Sequence, residues 1–462
     1  MQLQGKDKKV HFIGIGGAGM SGIATVMLEM GGYQVSGSDI KRSAVIDRLE
    51  NLGAKCNIGH KTSNINNEID AVVYSTAISP ENPEILETQR LGIPLIRRGQ
   101  MLARLMKEKK GIAVAGAHGK TTTTSMTALI LEENSFDPTI IIGGDLSNIG
   151  GNAKLGQGEY MVAEADESDG SFLLLDPNIA VVTNIEDDHL DYYGTRENIA
   201  KAFRQFLAKL SAEGLAVICL DDPVLKEITT GLTCQVVTYG SLGSGADYQI
   251  KVLETRNGVN QGEVYFQEER LGMLELHVPG YHNLLNAMAA VAIGRHLNLD
   301  FEKIARALRK FTGAKRRFQV IGKVNGITVV DDYAHHPTEV KATLQAARTS
   351  HPGRIVTIFQ PHRYSRTKQL FKEFGQSFTN GDLIILTDIY AASELPLEGV
   401  HTKLILDAIP LQEGQQVLYL PTLKDAADYL ADYANPGDLV LTMGAGDVWT
   451  LGRELIKRLE EK

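Results

Sequence analysis

Short apolar runs alternate with helix-period text along almost the whole chain. "KKVHFIGIGG" reads as a strand entering a glycine-rich turn, "MSGIATVMLEMG" as a helix stopped by Gly31 and Gly32, and "YQVSGSD" as the next strand. "IDAVVYSTAIS" and "IPLIRR" continue the series. Strands alternating with helices predict a parallel sheet covered on both faces. After the lysine-rich "LMKEKKG" the pattern restarts at Ile112, with "GIAVAGAHG" a strand and turn, "KTTTTSMTALILEEN" a helix, and "EYMVAEADES" and "NIAVVTNIE" buried strands. Near Asp247 the text alternates apolar and polar residues around an Asn257-Gly258 turn, which predicts antiparallel hairpins added to the middle part. From Lys315 onward "GITVVDDYAHH", "RIVTIFQPHR", "GDLIILTDIY" and "GDLVLTMGAGDVW" are again strands feeding loops and helices. The predicted fold class is α/β in three domains, 1–107, 108–314 and 315–462. The first and last are Rossmann-like, and the central one is P-loop ATPase-like and carries the hairpins.

Composition narrows the function classes. A chain of 462 residues fits about three domains at ~150 residues each. Forty-seven basic against 56 acidic residues leave a net charge of -9, which argues against a nucleic-acid partner but leaves room for a phosphorylated small molecule. Cys56, Cys219 and Cys234 are far apart, so neither a disulfide framework nor a structural zinc site is expected. The polar start "MQLQGKDKKV" is no signal peptide, and no run reaches the ~18 apolar residues of a membrane helix. A cytoplasmic location is expected, with no membrane partner.

Two glycine-rich turns carry the chemistry. Gly14, Gly16 and Gly19 satisfy G-x-G-x-x-G between a strand and a helix, with Asp39 at the end of the following strand. Such a turn lets the backbone approach a diphosphate, while the carboxylate accepts from a ribose hydroxyl. Nothing in it separates NAD from a UDP-sugar, and a tight turn that only packs helix on sheet would look the same. The second turn has Gly116, Gly119, Lys120 and Thr121, the ending of a P-loop, shortened because Val114 stands where the full pattern has its first glycine. Glu164, Asp166, Glu167 and Asp169 follow one strand, and Glu186, Asp187, Asp188, His189 and Asp191 follow another. Carboxylates at strand ends beside a P-loop suit Mg²⁺, and a histidine among them leaves room for Mn²⁺. Asn283 and Asn286 share a helix face and either meet a ligand or cap the helix. Arg316 and Arg317 either clamp a phosphate or form a solvated hinge. Asp332, His335, His336, His362, Arg363 and Arg366 lie at two further strand ends, where open α/β sheets bind ligands.

Eight motifs in order, "GIGGAGMSG", "GAHGKTTTT", "EADESDGSF", "TNIEDDHLDYYG", "GYHNLLNAMAA", "AKRRFQ", "DDYAHHPTEV" and "FQPHRYSRT", resemble the Mur ligases over essentially the whole chain. The resemblance implies an ADP-forming ligase of peptidoglycan precursor synthesis. It would join the lactyl carboxylate of UDP-N-acetylmuramate to L-alanine through an acyl phosphate, as a monomer or weak homodimer. The domains would take the UDP-sugar, the ATP and the amino acid in turn. By position, Gly16, Gly17, Ala18, Gly19, Met20, Asp39, Ser75 and Thr76 would hold the UDP-sugar. Gly116, Ala117, His118, Gly119, Lys120, Thr121, Thr122, Asn283, Asn286, Arg317 and Asp332 would hold ATP. Thr121, Glu164 and His189 would hold the metal; Lys120, Arg317 and His189 would be catalytic; and His282, Tyr333, His362, Arg363 and Arg366 would meet the amino acid. Tyr281 stands where many relatives have arginine. Phe203 occupies the place of the carbamylated lysine of several Mur ligases and Lys201 is out of register, so no such group is expected. His282 and His362 are open alternatives for the base that deprotonates the amine. A sister ligase adding a whole peptide, a nicotinamide oxidoreductase and a non-catalytic P-loop switch are the competing readings.

Overall fold

The computed structural model describes residues 7–462 except 257 and 393, and the side chains of these other than 147, 191 and 254–256. The chain divides into two compact units: Met1–Lys251 with Val264–Gly272 and Leu285–Leu308, and Val252–Glu263 with Met273–Leu284 and Arg309–Lys462.

The first unit opens with a five-stranded parallel sheet of β1 (Lys8–Ile13), β2 (Tyr33–Asp39), β3 (Lys55–Ile58), β4 (Ala71–Tyr74) and β5 (Leu95–Arg97), in the order β3-β2-β1-β4-β5. Val10, Phe12 and Ile13 of β1 are fully buried, as a strand covered on both faces requires. The chain leaves β1 towards β2 on one side and places β4 on the other, so a crevice opens at the carboxyl ends of β1 and β4. The helix Ala18–Met30 fills the first crossover and stops at Gly31, whose φ of 69° suits only glycine without strain.

The second sheet has ten strands: β6 (Lys110–Ala115), β7 (Thr139–Leu146), β8 (Gly151–Lys154), β9 (Tyr160–Glu164), β10 (Ile179–Val182), β11 (Leu215–Cys219), β12 (Gln235–Ser241), β13 (Tyr248–Arg256), β14 (Val259–Phe266) and β15 (Glu269–Leu276). Their order is β15-β14-β13-β12-β11-β10-β6-β9-β7-β8. β6 pairs in parallel with β10 on one side and β9 on the other. β14 and β15 are joined by Gln267 and Glu268 alone, with φ of 47° and 73°, a two-residue turn that only antiparallel strands can use. The expected turn one hairpin earlier rests on Asn257, which lies outside the described residues. β13 to β15 are shared between the two units.

Within the first unit the helix Ala18–Met30 lies on β7 and β8. Asn152 donates to the Ala18 carbonyl at 2.6 Å and to Ser21 at 3.1 Å, and Gly22 has no Cβ because Ile141 is packed there. The first sheet and strands β6 to β12 of the second therefore belong to one unit.

The second unit carries β16 (Gln319–Val324), β17 (Ile327–Asp332), β18 (Ile355–Phe359), β19 (Leu383–Leu386), β20 (Gln416–Tyr419) and β21 (Leu439–Met443), ordered β16-β17-β21-β18-β19-β20. All pairs are parallel except the β16–β17 hairpin, which turns on Asn325 and Gly326 with φ of 49° and 78°. One face buries Phe359, Phe374 and Phe378, and the other Val329, Leu451 and Leu455. Among the described residues no helix is long and apolar enough to cross a membrane.

Candidate active site

At the end of β1, Gly14 takes φ of 75°, and the Gly14 and Ile15 amides donate to the Ser38 carbonyl at 2.8 and 3.0 Å. The Gly16 amide donates to Asp39 Oδ2 at 2.9 Å, so the carboxylate expected at a ribose also pins the loop. A Cβ on Gly16 would stand 2.8 Å from that oxygen. Gly17 caps the helix Ala18–Met30 with no side-chain bond, and the first turn holds no acidic residue, so its amides face outward as an anion site requires. Met20 is 3% exposed, so its side chain is core and its backbone is the part at the loop surface. Ser75 and Thr76 follow β4 across the crevice, where Thr76 donates to Asp169 at 3.4 Å. Gly19 faces Arg98, a residue no local pattern singles out.

A buried polar network supports this loop from below. Ser38 donates to Glu84 Oε2 at 2.5 Å, Asn64 to Oε1 at 2.5 Å, and the rings of His60 and His11 lie 3.3 and 3.8 Å from Oε2. Burial would raise the Glu84 carboxyl, but His11, Ser38 and Asn64 outweigh it and hold the group at about 2.

The second loop leaves β6. Gly116 takes φ of 135° against Thr183, where any Cβ would collide. Asn184 holds His118 at both ends, accepting from its amide at 2.8 Å and donating to its carbonyl at 3.0 Å. Gly119, with φ of 81°, caps the helix Lys120–Glu133, and a Cβ there would strike the Asn286 amide. The Lys120 ammonium donates to the Gly116 carbonyl at 2.5 Å, the Ala117 carbonyl at 3.1 Å and Glu167 Oε1 at 2.7 Å. Thr121 donates to Glu164 Oε2 at 2.9 Å, which also accepts from the Gly143 amide at 2.9 Å. Thr122 is buried in the same first helical turn. His189, in a left-handed conformation with φ of 56°, stands 3.7 Å from Glu167 Oε1 and 3.6 Å from Asp188 Oδ2. Glu167 thus joins Lys120 to His189, a bridge that spacing alone did not reveal. Its Oε2 is buried with no hydrogen-bond partner among the described residues. Burial pushes the Glu167 carboxyl up to about 7 against the pull of Lys120, whereas Glu167 and Glu164 keep Lys120 protonated despite its own burial.

The structure sorts the two acidic clusters. Glu164 and Glu167 face the loop, as does Glu186 through His118 at 3.2 Å, while Asp166 pairs with Arg98 at 2.6 Å, Asp169 accepts from the Ser171 amide at 3.0 Å and Asp187 pairs with Arg196 at 3.4 Å. The Asp191 side chain lies outside the described residues. An unpartnered buried carboxylate oxygen, a second carboxylate and a hydroxyl beside a protonated lysine fit a hard cation with phosphates. Phe203 is 1% exposed and packs on Phe172, as a position without a carbamylated lysine should.

In the second unit, Asp332 ends β17 and accepts from the Phe318 and Ala334 amides at 2.6 and 2.7 Å. Burial raises its carboxyl to about 6 against the charge of Arg317. It thereby shapes the segment carrying both arginines. Arg316 is locked to Asp331 at 2.9 Å and to the Gly444 carbonyl at 2.5 Å, whereas Arg317 lies over the Tyr333 ring and 3.5 Å from Glu339. His362 stacks on Tyr390, meets His335 edge-on at 5.9 Å and has Arg366 3.5 Å away. Burial first, then His335 and Arg366, hold His362 down at about 3, so it stays neutral at working pH and is a poor base for the amine. Arg363 takes φ of 71° and buries an Nε with no acceptor among the described residues, a donor suited to an anion. His282 and Asn283 open the helix Tyr281–His296, where the Asn283 amide donates to the Pro279 carbonyl at 2.6 Å.

Residues 9–110 match the Mur ligase family catalytic domain, 114–294 the Mur ligase middle domain, and 316–446 the glutamate ligase domain of Mur ligases. The chain belongs to the Mur ligase family. Mur ligases use ATP. The UDP-N-acetylmuramate–L-alanine ligase of Pelotomaculum thermopropionicum is 58% identical over 456 residues, 99% of this chain and 98% of the relative. That of Syntrophus aciditrophicus is 49% identical, covering 99% and 95%. Among solved structures, this Mur ligase is similar to the UDP-N-acetylmuramate–alanine ligase of Thermotoga maritima, with a TM-score of 0.85 at 29% identity over 98% and 99% of the two chains.

Proposed function

We propose that this chain joins L-alanine to the lactyl carboxylate of UDP-N-acetylmuramate at the expense of ATP, through an acyl phosphate. The observation that carries the reading is full-length identity of 58% to a relative of that activity, in a chain whose two anion-ready glycine loops share one compact unit. The oxidoreductase reading leaves the Lys120 loop idle, and the switch reading gives the Gly14–Gly19 turn no task.

Two anions must meet in the first step, so cations have to cancel their repulsion and hold the line of attack. The Lys120 ammonium, 2.7 Å from Glu167 Oε1, would turn from that carboxylate onto the phosphates. Thr121, Glu164 and His189, with Glu167, would hold Mg²⁺ or Mn²⁺, which supplies charge neutralisation at the phosphates. Gly116 to Thr122, Asn286 and Asn283 would cradle ATP, and Arg317 and Asp332 would complete its surroundings. Gly16 to Met20, Asp39, Ser75 and Thr76 would hold the UDP-sugar. Tyr333, Arg363 and Arg366 would orient the amino acid, beside His362 and His282. The domain limits 1–107, 108–314 and 315–462, a cytoplasmic site of action and a monomer or weak homodimer belong to the same proposal.

The test is phosphate release from Mg²⁺–ATP with UDP-N-acetylmuramate present, on adding amino acids singly. Release with L-alanine, matched mole for mole by UDP-muramoyl-alanine, is expected. Release triggered only by a peptide would assign the sister activity instead.

A further inference from the structure

Arg98 touches both Gly19 of the first glycine turn and Asp166 after β9. Its guanidinium covers Gly19: a Cβ added there would sit 2.8 Å from Nη1 and 3.0 Å from Cδ. The third glycine of the turn is therefore glycine to admit an arginine from another helix. The Nη2 end donates to Asp166 at 2.6 Å, and the side chain is 17% exposed. Neither Nη1 nor Nε donates to an acceptor among the described residues. The backbone is fixed as well, because Gly99 presses on Ser171, and a Cβ at Gly99 would stand 2.5 Å from the serine Cβ. Asp166 is itself held by the Ser168 amide at 3.0 Å.

We propose that Arg98 is a substrate-positioning residue. Asp166 holds one arm of the guanidinium so that the other projects over Gly19 at the uncapped start of the helix Ala18–Met30, where it binds the diphosphate of the nucleotide substrate. A planar fork can serve two anions at once, which a lysine ammonium does less well. The helix amides and the guanidinium then face the same diphosphate, one from the turn and one from across it. The inference rests on the proposed UDP-sugar site and adds a cation that the glycine motif does not contain.

The experiment is calorimetric titration of the full chain with UDP, with UDP-N-acetylmuramate and, separately, with a non-hydrolysable ATP analogue. R98M is expected to weaken UDP and UDP-N-acetylmuramate alike, by about 10- to 100-fold, as loss of a charge-assisted bond to a phosphate implies. Affinity for the ATP analogue should stay within about twofold. R98K should recover part of the loss, and D166N, which frees the anchored arm, should weaken UDP by about 3- to 10-fold with Arg98 intact. If R98M does not fold, R98K and D166N carry the same test. Unchanged UDP affinity in all three variants overturns the inference, as does a loss confined to UDP-N-acetylmuramate, which would mean that Arg98 reads the lactyl carboxylate. Wild-type protein that binds neither UDP nor UDP-N-acetylmuramate would instead overturn the proposed function.

Discussion

Replacing Glu84 by glutamine keeps the shape of the group under the first loop and removes its charge. A carboxyl held at about 2 instead of its ordinary 4.5 has its ionised form favoured by about 3 kcal/mol, at ~1.4 kcal/mol per tenfold. The group is fully buried, so solvent screening takes little from that figure. Ser38 joins the network to the loop, because its hydroxyl donates to Glu84 while its carbonyl receives the Gly14 and Ile15 amides. The folded pKa lies below the unfolded one, so the stabilisation is complete above about pH 4.5 and fades as pH falls towards 2. Amide hydrogen exchange is the suitable assay, since one unfolding free energy is poorly defined for a three-domain chain. At pH 7 the Gly14 and Ile15 amides of E84Q should exchange about 100-fold faster than in the wild type, with β6 amides unchanged. Near pH 3.5 the ratio should shrink by about tenfold. A change below about fivefold at pH 7, or a ratio independent of pH, would refute the electrostatic account of this network.

K120A should lower ligation by at least about 1,000-fold while UDP affinity holds, measured by coupled phosphate release and calorimetry. G119A, which places a Cβ at φ of 81° against Asn286, should raise the Kd of an ATP analogue at least about tenfold with UDP binding intact. E164Q should weaken Mn²⁺ binding in the presence of the ATP analogue, read by electron paramagnetic resonance, by about tenfold or more. H362N should lower kcat/KM without moving either limb of its pH profile between pH 5 and 9, because a group held at about 3 does not titrate there.

What local sequence carries is what local backbone dictates. Gly14, Gly116 and Gly119 announce themselves because each needs positive φ in a turn between strand and helix. The P-loop is short because β6 runs straight through Val114, so a glycine there has no turn to serve. Glu84 and Arg98 were illegible because their partners Ser38 and Asp166 lie 46 and 68 residues away, brought near only by the parallel crossovers. Gly19 looked like a diphosphate contact and is also a seat for Arg98, a distinction that depends on a helix five strands into the chain. Glu167 stood in plain view among four acidic residues, yet only the observed geometry separates it from Asp166 and Asp169. The Asn325-Gly326 hairpin, by contrast, was a readable signal in "KVNGITVV" that the strand pattern alone passed over.

The glycines of the Lys120 loop bear on inhibition. Every replacement of a glycine adds at least a Cβ, and at Gly116 and Gly119 that atom meets Thr183 and the Asn286 amide in a backbone conformation other residues avoid. A compound whose contacts run to the main chain of these two residues, rather than to side chains nearby, would leave this enzyme no point mutation at either position that both evades the compound and keeps the loop. Resistance would have to arise at positions other than these two glycines.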